Sequence, residues 1–124
     1  MKITGFCPLI VTKDAESVMK TLEALGFERR HTKKDIEGGQ NINYAMKDAN
    51  GNRINIASSE TVPQDLTGIS MNVDNFQEAY DFLIARGFVN PRGDKVTDTS
   101  SSKATMLFAP SGFAITISEH LKDR

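Results

Sequence analysis

The chain has 124 residues, of which 39% are hydrophobic and 25% charged, and its formal net charge is −1. This is the balance of an ordinary globular domain, and it gives no electrostatic reason to expect a nucleic acid or an anionic membrane as a partner. The single cysteine, Cys7, excludes an internal disulfide, and because no apolar run is long enough for a signal peptide or a membrane span, we expect a cytoplasmic protein.

The first sixty residues predict a strand, a helix and three further strands. Residues 3–11 are apolar and rich in β-branched side chains, which is typical of a strand. Asp14 is a candidate N-cap for a helix that carries apolar residues at helical spacing as far as Leu25, and Gly26 ends it. Further strands are predicted at 27–32, 42–47 and 53–58, with a loop over 35–41 and a tight Asn50-Gly51 turn.

The second half predicts the same order of elements. A strand at 69–73 alternates apolar and polar side chains, and Asn75 caps the helix that follows. A short strand at 88–89 stops before a proline, and the polar stretch 92–102 is expected to be a mobile loop. The last two strands are predicted at 103–109 and 114–119.

The two halves repeat each other at a constant spacing. Gly26 and Gly87 each end a predicted helix and lie 61 residues apart, and Gly51 and Gly112 show the same offset. Glycine at these points fits the left-handed backbone that a helix end or a tight turn requires. We therefore predict a single α+β domain built from two βαβββ modules, one in residues 1–60 and one in residues 61–124.

These signatures resemble the vicinal oxygen chelate superfamily, which includes glyoxalase I, bleomycin-resistance proteins and extradiol dioxygenases. The resemblance rests on the helix that ends in Leu25-Gly26-Phe27 and on the turn Asp48-Ala49-Asn50-Gly51-Asn52-Arg53-Ile54, which matches the family's D-x-x-G-N-x-I pattern. It implies that the two tandem modules form a curved, incompletely closed mixed sheet with the helices outside and a ligand on the inner face.

The resemblance also identifies four positions where the family's metal enzymes carry ligands. A His in the first strand and a Glu in the last strand of each module correspond here to Cys7, Asn55, Gly68 and Thr116. Amide and hydroxyl oxygens bind divalent metals weakly, glycine has no side chain, and one thiol cannot hold a metal ion alone. We therefore expect no metal, no other cofactor and no catalytic residues of the family's metal chemistry.

Strand alternation assigns four candidate ligand-binding residues to the inner face of the sheet: Cys7, Leu9, Asn55 and Thr116. Asn55 and Thr116 occupy symmetric positions, where a ligand role and a structural role are equally open. Cys7 fits a small buried hydrophobe better than a reactive thiol, and residues of the third strands are either core or pocket lining. The remaining candidates are apolar or aromatic: Tyr44, Met106 and Phe108.

The function predicted from the sequence is a metal-free protein that holds a small organic ligand, apolar or aromatic, in an apolar concave cleft. The alternative is an enzyme, either a lyase or dioxygenase relative with displaced metal ligands or one that uses no metal. A third class is a structural or regulatory domain with a filled cavity. The resemblance further implies a homodimer, for which exposed strand edges supply a physical motive.

Overall fold

A computed structural model of the chain describes residues 1–34, 42–60, 62–98 and 101–121, without the side chains of residues 31–34 and 42. The predicted loop over 35–41 therefore lies outside the described residues. Within them are two helices and eight strands: β1 (Ile3–Thr12), α1 (Ala15–Ala24), β2 (Glu28–Lys34), β3 (Ile42–Lys47), β4 (Arg53–Ser58), β5 (Leu66–Val73), α2 (Phe76–Ala85), β6 (Thr97–Asp98), β7 (Ser102–Phe108) and β8 (Ala114–His120).

The fold class is α+β with a mixed sheet, as predicted. The chain divides into two compact units, a first unit of residues Cys7–Thr67 and a second unit of Met1–Phe6 together with Gly68–Arg124. The first unit has the strand order β2-β3-β4-β1, in which β1 and β4 are parallel and the other pairs antiparallel. The second unit has the order β5-β8-β7-β6, with β5 and β8 parallel.

Helix α1 begins and ends at the residues that the sequence predicts. The Asp14 side chain accepts a hydrogen bond from the Ser17 N–H at 3.1 Å, which satisfies one of the free amides of the first turn. At the other end Gly26 has φ +106°, and Phe27 donates to the Leu22 carbonyl at 3.0 Å. Together with the positive φ of Gly26, this bond is typical of a Schellman motif, after which the chain continues into β2.

One side of α1 buries the core of the first unit. Apolar side chains of the helix meet alternate side chains of β3 and β4, and the fully buried members are Ala15, Met19, Met46 and Ile56. Helix α2 covers β7 and β8 of the second unit in the same way, over a cluster of eight buried residues: Met71, Val73, Phe76, Ala79, Leu83, Leu107, Ile115 and Ile117.

The 61-residue repeat is confirmed by the register of the strands. In the first unit Asn55 lies opposite Leu9 on β1 and opposite Ala45 on β3. In the second unit Thr116 lies opposite Ser70 on β5 and Met106 on β7. Each residue of the second set stands 61 positions after its counterpart, so both modules use one hydrogen-bonding scheme.

The module-two counterpart of β2 differs from the prediction. Residues 88–89 form only an isolated bridge, between Val89 and Phe108, and the paired strand β6 lies at Thr97–Asp98. Pro91 has no N–H to donate, which explains why pairing does not continue through it. The polarity of residues 92–102 predicts one mobile loop, but its first part is held in place by Asn90. This side chain is 5% exposed, donates to the Lys95 carbonyl at 2.9 Å and accepts from the Arg92 N–H at 3.0 Å.

Candidate ligand-binding faces of the two modules

Each module has one sheet face under its helix and an opposite face that the helix does not cover. Side chains alternate between the faces along a strand, and directly paired residues share a face. Met46 and Ile56 lie under α1, so Asn55 and its partners Leu9 and Ala45 lie on the opposite side, here called face one. Thr116 and its partners Ser70 and Met106 lie on the corresponding face two of the second unit.

Face one contains three of the predicted ligand-binding residues, and they differ in exposure. Asn55 is half-buried, and so is Cys7, which precedes Leu9 by two positions on β1. Leu9 is only 2% exposed, so its side chain is already covered by protein atoms and belongs to the core. Cys7 and Asn55 both interact with other groups of the chain, so a ligand that binds either must compete with an internal partner.

Tyr44 lies on the other side of the sheet. It is directly opposite Ile56 and packs against the cluster under α1, so the structure does not bring it to Asn55. A shift of one position along a strand moves a side chain to the other face, and Tyr44 is one position from Ala45. The repeat contains the signal that identifies the correct residue, because the counterpart of Met106 is Ala45.

Face two changes from apolar to polar along the strands. At one end Phe108 lies opposite Ala114, and at the next level Met106 lies opposite Thr116. Beyond them the Ser118 hydroxyl donates to the Asn72 side-chain oxygen at 2.5 Å. Met106, Phe108 and Thr116 therefore share a face. The pair of Asn72 and Ser118 was not predicted, although Ser118 lies two positions after Thr116 and therefore on the same face.

The Thr116 hydroxyl is the polar group on face two with an open hydrogen-bonding capacity. Its Oγ1 is buried and has no hydrogen-bond partner among the described residues. A buried hydroxyl without a partner costs free energy, and a ligand able to donate or accept a hydrogen bond there recovers that cost. Because protein atoms cover this oxygen, a ligand on face two would reach it only after neighbouring side chains move.

Gly68 has a steric reason to be glycine. A Cβ added there would lie 2.0 Å from the Ala114 carbonyl oxygen and 2.8 Å from its carbonyl carbon. Both are backbone atoms of the neighbouring strand, so no rotation of a side chain relieves the contact. The third of the four family ligand positions therefore accommodates no side chain unless the backbone of β5 or β8 moves.

The other three ligand positions hold a thiol, an amide and a hydroxyl, which are poor ligands for a divalent ion in this combination. Within the described parts of the chain, no three His, Cys, Asp or Glu side chains form a group that could hold a metal ion.

Neither described helix is long and apolar enough to cross a membrane.

Face one carries two cations at the end nearest the Gly51 turn. Lys47 lies directly opposite Arg53, one level beyond the pair of Ala45 and Asn55. Lys47 is half-buried and Arg53 exposed. Neither side chain forms an ion pair or a hydrogen bond with another described residue. The sequence alone gives no signal for this pair, because it is the pairing of β3 with β4 that places the two side chains on one face.

No protein-family model matches the chain, and no curated protein matches it by sequence. Solved structures do match. A glyoxalase I mutant from Zea mays superposes with a TM-score of 0.69 at 16% identity and covers 97% of this chain, which spans 45% of the maize chain. Methylmalonyl-CoA epimerase from Mycobacterium tuberculosis gives a TM-score of 0.65 at 12% identity, covering 94% of this chain and 88% of its own.

A third similar structure comes from Vibrio splendidus, a glyoxalase/bleomycin resistance protein/dioxygenase superfamily member with a TM-score of 0.59 at 13% identity. The match covers 97% of this chain and 100% of that one. At sequence identities this low, the matches show a similar fold and nothing about function. The similarity agrees with the repeated strand register and with the two helices that end in Schellman motifs. The resemblance read from the sequence is confirmed at this level: the chain has the fold of the vicinal oxygen chelate superfamily.

Proposed function

We propose that the protein binds a small organic molecule without using a divalent metal, in the manner of the bleomycin-resistance branch of its fold. The observation that carries the proposal is Gly68, where the backbone of Ala114 occupies the space that a ligating side chain would need. A metal centre with the family's four ligands would therefore require a movement of the backbone near Gly68 as well as new side chains at the four positions. Cys7, Asn55 and Thr116 offer groups better suited to hydrogen bonding than to holding a metal ion.

The accessible chemistry of the two faces supports an organic ligand. Half-buried Met106 and Phe108 supply apolar contacts, and the Thr116 hydroxyl supplies an unused donor and acceptor. In the first unit, taken by itself, face one offers the Asn55 amide at the equivalent level. Binding sites for small molecules typically combine apolar walls with a few polar groups that fix orientation.

Metal analysis separates this proposal from the enzymatic alternative, a lyase or dioxygenase relative with displaced ligands. The protein is purified after growth with supplements of zinc, nickel, iron and manganese, and its metal content is measured. We expect less than a stoichiometric amount of each ion. A stoichiometric ion lost on substitution of Cys7, Asn55 or Thr116 would establish the alternative.

Ligand binding is tested separately, by protein-observed NMR with a library of small aromatic and amphipathic compounds. We expect saturable shifts for amides of β4, β7 and β8, the strands that carry Asn55, Met106 and Thr116. If no compound produces saturable shifts, the binding function is contradicted and the third possibility, a structural or regulatory domain, is favoured.

We also propose a homodimer, which rests on the family resemblance. In the first unit Leu25 is 71% exposed, and in the second Phe6 and Val89 are 62% and 59% exposed, so each unit has large apolar side chains available for burial. Sedimentation velocity at micromolar concentration should show the mass of two chains. A single species of 13.7 kDa would contradict the proposal.

A further inference from the structure

Lys47 and Arg53 form a pair of like charges held side by side by the sheet. They are direct partners across antiparallel strands β3 and β4, where Cβ atoms lie about 5 Å apart. They lie on face one, one level from Ala45 and Asn55. Like charges directly opposite each other destabilise a sheet, so this arrangement calls for a compensating anion.

The described part of the chain does not supply that anion. The nearest acidic candidate is Glu28, which lies opposite Lys47 on β2. Its carboxylate forms its ion pair with Arg30, at 3.7 Å, and not with Lys47. Asp48, next to Lys47 in the chain, accepts hydrogen bonds from the Asn50 and Asn52 amides within the turn. Lys47 is half-buried, and no described carboxylate forms an ion pair with its ammonium group.

The internal repeat shows that the fold does not require cations here. The counterparts of Lys47 and Arg53 are Phe108 and Ala114, which face each other at the same level of β7 and β8. An apolar pair therefore satisfies the same register in module two. The two positive charges in module one are a property of this face and not of the architecture.

We propose that Lys47 and Arg53 bind the anionic end of the protein's ligand, which is then an organic oxyanion, a carboxylate or a phosphate ester. The inference rests on the proposed binding function and changes the expected ligand from an apolar or aromatic molecule to one with an apolar body and a charged end. A guanidinium presents two parallel N–H groups to such an oxyanion, and an ammonium adds a point charge. The Asn55 amide, one level away, can donate to a more distal oxygen of the ligand.

The test compares octanoate, octyl phosphate and octanol by isothermal titration calorimetry at low ionic strength. These probes share an eight-carbon chain and differ in the end group. For the wild-type protein we expect one or both anions to bind more tightly than octanol. In the double variant Lys47→Gln/Arg53→Gln that preference should fall by about tenfold or more, because charge-assisted hydrogen bonds are lost, while octanol affinity stays the same.

Two further variants control for charge and folding. Lys47→Arg/Arg53→Lys keeps both charges and should retain the preference for the anion. Lys20→Gln removes one exposed cation from α1 and should leave it unchanged. The relative affinities of octanoate and octyl phosphate then identify which oxyanion the site prefers.

Several results would overturn the inference. Equal affinity for all three probes, unaffected by the double substitution, would leave the binding function standing and remove the anion site. An effect of Lys20→Gln as large as that of the double variant would show that the preference for anions comes from the net charge of the protein and not from Lys47 and Arg53. If no probe binds while compounds of the NMR library do, the anion site is again excluded, whereas failure of the probes and of the library contradicts both proposals.

Discussion

Glu119 and Phe76, 43 residues apart in the chain, are joined at the start of helix α2. The Glu119 carboxylate, on β8, accepts a hydrogen bond of 2.7 Å from the Phe76 N–H. This amide belongs to the first turn of the helix and has no acceptor within the helix. A negative charge at this end also interacts favourably with the helix dipole. The strand therefore caps the helix together with Asn75, whose side chain accepts from the Glu78 N–H.

Substitution of this carboxylate should weaken the second unit. We expect Glu119→Ala to lower the free energy of unfolding by about 1–2 kcal/mol, because a partly buried amide loses its acceptor and the dipole its counter-charge. Glu119→Gln should cost less, since an amide oxygen still accepts. Urea denaturation measures both, and Ser58→Ala, at the counterpart position in module one, should stay within about 0.5 kcal/mol of the wild type. A wild-type midpoint for Glu119→Ala would contradict the capping role.

The two helix-ending glycines predict a matched pair of substitutions. Gly26 has φ +106° and Gly87 φ +95°, where a side chain strains the backbone. No atom lies within 4 Å of a Cβ added at Gly26, and only Pro110, at 3.6 Å, is close to one at Gly87. Each Gly→Ala change should therefore cost about 1 kcal/mol through backbone strain. Thermal denaturation should show similar losses for both, and a loss at one position alone would contradict the equivalence of the two helix ends.

The features predicted correctly from the sequence are those set by local interactions. The caps at Asp14 and Asn75 and the stops at Gly26 and Gly87 each depend on a few neighbouring residues. The constant offset of 61 residues relates the cap and stop of α1 to those of α2.

The features that were missed depend on contacts between distant strands. The Asn72 and Ser118 pair joins residues 46 positions apart, and the backbone contact at Gly68 depends on how closely β5 and β8 approach. Periodicity predicts which residues of a strand share a face but not which face lies under the helix, so the sequence leaves Tyr44 open between core and pocket lining. Its register with Ile56 places it under α1.

A buried hydroxyl under helix α2 offers a stabilising substitution. Thr105 is 4% exposed, and its Oγ1 has no hydrogen-bond partner in the described part of the chain. Thr105→Val replaces that hydroxyl by a methyl group of similar size, so we expect the free energy of unfolding to rise by about 1 kcal/mol. Thr105→Ser, which keeps the hydroxyl and loses a methyl group, should be destabilising. A destabilised Thr105→Val protein would show that the hydroxyl has a partner.

Gly68 and Gly5 provide a second comparison within the second unit. A Cβ at Gly68 would meet backbone atoms of Ala114, whereas at Gly5 it would meet the Asn72 side-chain nitrogen at 2.8 Å. A side-chain end can move aside and a paired strand cannot. We therefore expect Gly68→Ala to cost about 2 kcal/mol or more and Gly5→Ala clearly less. Chemical denaturation of the two variants tests the order, and equal stability would remove the steric argument against a ligating residue at position 68.

The ligand faces themselves are tested by two hydroxyls on opposite sides of the sheet in module two. Thr116 lies on face two and Thr105 under the helix, and the described structure gives neither Oγ1 a partner. For a ligand on face two, Thr116→Val should not lower stability and should weaken the tightest compound of the NMR library by about three- to tenfold, the value of one neutral hydrogen bond. Thr105→Val removes the same group from the other face and should leave affinity unchanged. A ligand that binds face one would be weakened by Asn55→Leu instead, with some loss of stability because Asn55 has a partner in the chain. Wild-type affinity in both Thr116→Val and Asn55→Leu would show that the ligand binds elsewhere.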